Sequence, residues 1–128
     1  MKKKKIILEV IKEDTGYSAT GTFENNFIAT EAESFAELQT NAVEAVNLAF
    51  DSDAYTITDI GFTYDLESFF DFYKVINAKA LSERIGMNQS LLAQYIKGNK
   101  KPSTSQLKRI LQGVQQIGRE LSEASFLL

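Results

Sequence analysis

Apolar and polar positions along the first third of the chain keep a period of two. Residues 3–12 form a run rich in Ile and Val that reads as a strand, closed by a turn at Gly16. Tyr17, Ala19, Gly21 and Phe23 then alternate with Ser18, Thr20 and Thr22, which predicts a half-buried strand. Asn25-Asn26 supplies a turn, because Asn tolerates positive φ, and Phe27 to Glu31 makes a third short strand. The period then changes. Ser34 and Glu37 form a capping box, and Phe35, Leu38, Ala42, Ala45, Val46 and Ala49 recur at helical spacing up to Phe50. A fourth strand is expected from Tyr55 to Tyr64. Its alternation slips: Tyr55 and Ile57 share one face, whereas Ile60, Phe62 and Tyr64 share the other. Gly61 beside the slip predicts a bulge or kink. The order βββαβ describes a small α+β layer, one sheet with a helix on one face.

From residue 67 onward the pattern is helical. Glu67 to Ile76 carries Phe69, Phe70, Phe72, Tyr73 and Ile76, with Ser68 and Asp71 spaced as a capping box. Asn77 can cap a helix over 78–85 with Leu81 and Ile85 inward, and Gly86 can end it in the left-handed conformation. Met87 points back to the core. Asn88 then caps a helix over 89–97 that Gly98 stops. Two short helices joined by a tight glycine turn are a helix-turn-helix arrangement. Ser103 and Gln106 form a further capping box that opens a long helix to about Ser125. The expected organisation is an α+β domain over 1–66 followed by an all-α helix-turn-helix domain over 67–128.

Charge sharpens this division. The net charge of −3 hides six Lys against fourteen Asp and Glu in residues 1–75, hence −8. Residues 76–128 hold eight Lys and Arg against three Glu, hence +5. The basic part suits a polyanion and the acidic part suits a basic protein. The chain has neither Cys nor His, which removes thiolate chemistry, the common zinc ligands and any Ser-His nucleophile pair. No metal, no cofactor and no catalytic residue is expected. Glu9, Glu44, Asp59 and Asp65 are the carboxylates a metal-dependent nuclease would need, but they form no compact acidic motif and read as solvated. Residues 6–8 are too short an apolar run for a secretory segment, and no run approaches a membrane span, so a cytoplasmic protein is expected. Lys2–Lys5 read as a solvated end.

The helix over 89–97 carries the candidate chemistry. Leu92, Tyr95 and Ile96 can face inward, leaving Gln89, Ser90, Ala93 and Gln94 outward. Gln can pair bidentately with adenine in the major groove, Ser can bond several base edges, and Ala can touch a thymine methyl. Lys97, Asn99, Lys100 and Lys101 follow in what reads as a mobile basic loop suited to phosphates, which set affinity and salt dependence rather than sequence preference. In the last helix Leu107, Val114, Leu121 and Leu128 lie seven apart, with Ile110, Ile117 and Ala124 between them. This heptad stripe predicts an oligomer interface centred on Val114, Ile117 and Leu121.

Two resemblances cover nearly the whole chain. The run from Ala80 to Gly98, followed by Lys100-Lys101-Pro102-Ser103, resembles the phage-repressor-like (Xre, Cro/C1) helix-turn-helix. That resemblance implies base reading by Gln89, Ser90, Ala93 and Gln94, and phosphate contacts by Lys97, Asn99, Lys100 and Lys101. The segments Tyr17-Ser18-Ala19 and Phe27-Ile28-Ala29-Thr30, with the helix from Ser34 through Leu38 to Ala45, are similar to the HicB antitoxin domain, a partial RNase H-like unit. The order of the two matches HicB proteins with a helix-turn-helix tail. It implies an antitoxin, not an enzyme, that neutralises a small basic mRNA-cleaving toxin (HicA-like). It also implies repression of the shared operon through double-stranded operator DNA, as a homodimer or higher symmetric oligomer. The alternative is a stand-alone regulator whose N-terminal domain oligomerises or senses a ligand.

Overall fold

Alternation is strict where the first strand begins. Strand β1 (Ile6–Lys12) buries Ile6, Leu8 and Val10 and exposes Ile7 and Glu9, the pattern of a sheet with one covered face. The structure, a computed structural model, describes residues 4–127; the expectations on Lys2, Lys3 and Leu128 lie outside the described residues. Strand β2 (Tyr17–Phe23) pairs antiparallel with β1, and β3 (Asn26–Ala32) antiparallel with β2. Gly16 closes the first hairpin at φ +75°, and a Cβ there would collide with the Ala32 carbonyl. The second hairpin turns on Glu24 and Asn25, both at positive φ, between paired Phe23 and Asn26. This two-residue form matches the twist of the strands and starts one residue earlier than the Asn25-Asn26 turn expected from sequence.

Helix α1 (Phe35–Ala49) begins where the capping box predicts, with Ser34 Oγ accepting from the Glu37 amide at 3.2 Å. Leu38, Ala42 and Val46 recur every four residues on its buried side. Together with Ile6, Leu8, Val10, Ala19, Ile28 and Ile60 they form the core. The helix is also the crossover that a parallel strand pair requires. It delivers β4 (Ile60–Tyr64) parallel to β1, giving the sheet order β3-β2-β1-β4.

Two expectations need correction here. Gly61 sits in regular register opposite Ile7, so there is no bulge. The slip in alternation is instead a single 3₁₀ turn at Ile57–Asp59, where the Asp59 carboxylate accepts from the Thr56 amide at 2.9 Å. The helix expected to open the second domain belongs to the first. Helix α2 (Leu66–Phe72) lies in the unit Met1–Phe72, and Tyr73–Leu128 forms the second unit. The boundary therefore falls after Phe72, not after residue 66.

The physical reason lies at the end of β1. Phe72 stacks on Tyr17 with ring centroids 4.1 Å apart and meets Phe35 edge-on at 4.5 Å. Asp71 accepts from the Tyr17 hydroxyl and lies 3.2 Å from the Lys12 ammonium. Burial, and then the adjacent Asp71 carboxylate, push the Tyr17 hydroxyl up to about 12. Ser68 does not cap the helix: Asp65 does, accepting from the Ser68 amide at 2.7 Å. The buried Ser68 hydroxyl accepts from the Lys12 amide at 2.9 Å.

The second unit holds α3 (Ala78–Ile85), α4 (Gln89–Lys97) and α5 (Thr104–Glu123) around Leu81, Met87, Leu92 and Ile110. Among the described residues, no helix is long and apolar enough to cross a membrane.

Ser68→Ala should leave the Lys12 amide without its acceptor and cost about 1–3 kcal/mol of stability. Urea denaturation followed by tyrosine fluorescence would measure this. An unchanged midpoint would show that α2 is held by its aromatic contacts alone.

Candidate nucleic-acid interface

Short polar side chains and two glycines fix the frame of the second unit. The Asn77 side chain accepts from the Ala80 amide at 2.9 Å and starts α3. Gly86 ends it at φ +65°, and the Met87 amide returns to the Ser82 carbonyl at 2.9 Å. This six-to-one closure turns Met87 into the core. One residue later the Asn88 side chain accepts from the Leu91 amide at 3.1 Å and starts α4.

On α4, Leu92 is buried and Leu91, Tyr95 and Ile96 are half-buried. Gln89, Ser90, Gln94 and Lys97 are exposed, and Ala93 is half-buried among them. At about 100° per residue these five positions share one continuous face. Each expected base-reading residue thus lies on the outer side of a single capped helix, with Lys97 near its middle.

The basic segment behind the helix is more ordered than expected. Gly98 turns the chain at φ +81°, and the amides of both Asn99 and Lys100 donate to the Gln94 carbonyl, at 2.9 and 3.3 Å. The start of the supposed mobile loop is pinned to the helix before it. Lys97, Asn99, Lys100 and Lys101 are all exposed. Among the described residues, none of the three lysines has a carboxylate partner. Their charge remains available to an anion.

Two arginines of this unit are engaged internally, which sequence reading missed. Arg109 on α5 donates to the carbonyls of Ile85 and Gly86, at 3.0 and 2.6 Å. It satisfies orphan acceptors at the end of α3. Arg84 makes two parallel bonds to Glu120, at 2.9 and 2.7 Å. The Arg84 bond, and then the Gln116 amide, hold the Glu120 carboxyl down at about 2. No local spacing announces a pair 36 residues apart; the only signal was an Arg in the last turn of α3.

The expected oligomer residues do not share one environment. Leu121 is exposed, Val114 is half-buried, and Ile117 is half-buried on the side of α5 that carries the buried Ile110. That side faces α3, because a Cβ on Gly113 would collide with Ile85 and approach Leu81 within 3.2 Å. Contact with α3 continues as far as Glu120, further along α5 than the sequence suggests.

The carboxylates singled out in the first unit are dispersed. Glu9 and Glu44 are exposed, while Asp59 and Asp65 serve as caps. An open polar cleft of about 600 Å³ is lined by Lys12, Glu13, Asp14, Asp65, Glu67 and Ser68. Among the described residues, no three acidic side chains converge to hold a metal ion. Comparison with protein-family models, with curated proteins and with solved structures gives no match for this chain.

Glu120 supplies a pH dependence with a definite sign. Its carboxyl falls from the ordinary 4.5 to about 2 in the folded chain. The pair with Arg84 therefore contributes fully above pH 4.5, and the contribution is lost as pH falls towards 2. Glu120→Gln should lose that acid-dependent part when urea midpoints are compared from pH 6 down to pH 2. An identical pH profile in the variant would mean that solvent screens the pair.

Proposed function

We propose that this chain is an operator-binding antitoxin. Its C-terminal unit would bind double-stranded DNA through α4, and its N-terminal unit would neutralise a small basic mRNA-cleaving toxin of the HicA type. The observation that carries the DNA-binding half is the exposed α4 face of Gln89, Ser90, Ala93 and Gln94. Lys97 at its end and Lys100 and Lys101 just beyond it have, among the described residues, no carboxylate partner. In this reading α4 enters the major groove and its side chains meet base edges, while Lys97, Asn99, Lys100 and Lys101 grip phosphates. Asn77, Asn88 and Arg109 do not touch DNA; they hold the turn that aims α4.

For the antitoxin half, the support is charge and an uncovered surface. The sheet face opposite the core exposes Ile7, Ile11 and Phe27, the last at 68%, with Glu9 and Glu31 among them. Apolar area interrupted by carboxylates, in a region of net charge −8, fits a cationic protein partner. Neutralisation in this reading is steric and electrostatic, and it needs no chemistry from the antitoxin.

Two measurements test the two halves. Gln89→Ala and Gln94→Ala should each cost about 1–3 kcal/mol of binding to the chain's own promoter and relax base preference. Lys100→Ala and Lys101→Ala should weaken all DNA alike and flatten the salt slope by about one each. If both Gln variants bound as wild type, the register assigned to α4 would be wrong. For the antitoxin half, the chain is tagged in its native gene context and purified. A small basic partner in equal amount is expected. Purification alone, with promoter binding intact, would reduce the function to that of a stand-alone regulator.

A further inference from the structure

Helix α5 carries a second apolar line besides the one that faces α3. Leu107, Leu111, Val114, Gly118 and Leu121 follow one another at spacings of four, three, four and three. That is the seam of a paired helix. At about 100° per residue the line lies roughly a quarter of a turn from the side that carries Ile110 and Gly113. Leu107, Leu111 and Leu121 are 42%, 54% and 70% exposed. A Cβ on Gly118 would meet nothing. The heptad read from sequence paired Val114 and Leu121 with Ile110 and Ile117. The exposed seam pairs them with Leu111 and Gly118 instead.

We propose that this seam docks against the same seam of a second copy of the chain, with the two α5 helices antiparallel. Three features of the helix select this occupant and this direction. First, the seam complements itself in size. Centred next to Val114, an antiparallel pair sets Leu111 of each copy over Gly118 of the other, a protrusion into an open hollow. Second, the seam and its outer edge of Thr104, Lys108, Gln115 and Ser122 hold a single charge, Lys108. A parallel pair would set two Lys108 side by side. The antiparallel pair separates them by about 20 Å along the axis at 1.5 Å per residue, beyond the screening length of about 8 Å at physiological salt. Third, antiparallel packing sets the two helix dipoles head to tail. A charged foreign partner finds no complement on such a neutral strip, whereas a second copy does. Two α4 helices related by a two-fold axis suit an operator with two half-sites, so the pairing deepens the DNA-binding reading and rests on it for its purpose.

The test uses the full chain without DNA, so its outcome is independent of whether the chain binds an operator. Sedimentation equilibrium in the hundred-micromolar range should give twice the chain mass of 14.3 kDa. Leu111→Glu and Gly118→Leu should each return it to 14.3 kDa. Gly118→Leu is the stronger test, because Leu favours helix over Gly and the added side chain meets nothing within the chain; circular dichroism should show helicity kept or raised. Gln112→Glu, on the opposite side of α5, should leave the dimer intact. The chain has no Cys, so single thiols report direction: Val114→Cys should join two copies through a short thiol crosslinker and Lys108→Cys should not. A monomeric wild type, a dimer that survives both seam substitutions, or crosslinking at Lys108→Cys in preference to Val114→Cys would each overturn the proposal.

Discussion

The arrangement of the second unit depends on how closely α5 can approach α3. Gly113 is the point of contact, and its missing side chain leaves room for Ile85 and Leu81. A larger residue would displace the Ile85 side chain or push the two helices apart. With them at this distance, Arg109 reaches the carbonyls that end α3, and Arg84 reaches Glu120 along the same seam. The turn at Gly86 is thereby fixed from behind. Because only Met87 and Asn88 separate that turn from α4, the direction of α4 is set by a packing contact on the far side of the unit. A glycine in a helix interior lowers helix propensity. Here the loss is offset by core contact and by three charge-assisted interactions that a wider separation would not permit.

Local chemistry was the most legible part of the chain. Ser34, Asn77, Asn88 and Ser103 each cap the helix the sequence assigns to them, and Gly16, Gly86 and Gly98 each take the positive φ their positions call for. These signals act within four residues, so they are readable without the fold. Where sequence reading erred, a distant partner decided the outcome. Ser68 looks like a cap because Asp71 follows it at the right spacing, yet its hydroxyl serves an amide 56 positions away. Helix α2 looks like the start of the helical region because it is a helix. Tyr17 and Phe35, both in the first unit, determine where it packs.

The candidate site divides in the same way. Which residues of α4 face outward follows from helical period and from the burial of Leu92, and both were visible beforehand. The order in the basic segment was not, because it comes from backbone amides rather than side chains. On α5 the period alone allowed two seams that share Val114 and Leu121. The position of α3 covers the Ile110 side and leaves Leu107, Leu111 and Leu121 exposed.

The double anchorage on Gln94 joins two properties usually treated as separate. Its side chain belongs to the outer face of α4, and its carbonyl holds the amides of Asn99 and Lys100. If α4 reads bases and the lysines grip phosphates, the two kinds of contact share one mechanical joint. The backbone at Asn99 and Lys100 cannot shift without loosening the last turn of the helix that presents Gln94. Affinity and selectivity would then be hard to vary one at a time in this chain. A change that frees the basic segment would blur the preference for sequence, and one that stiffens the turn would sharpen both together.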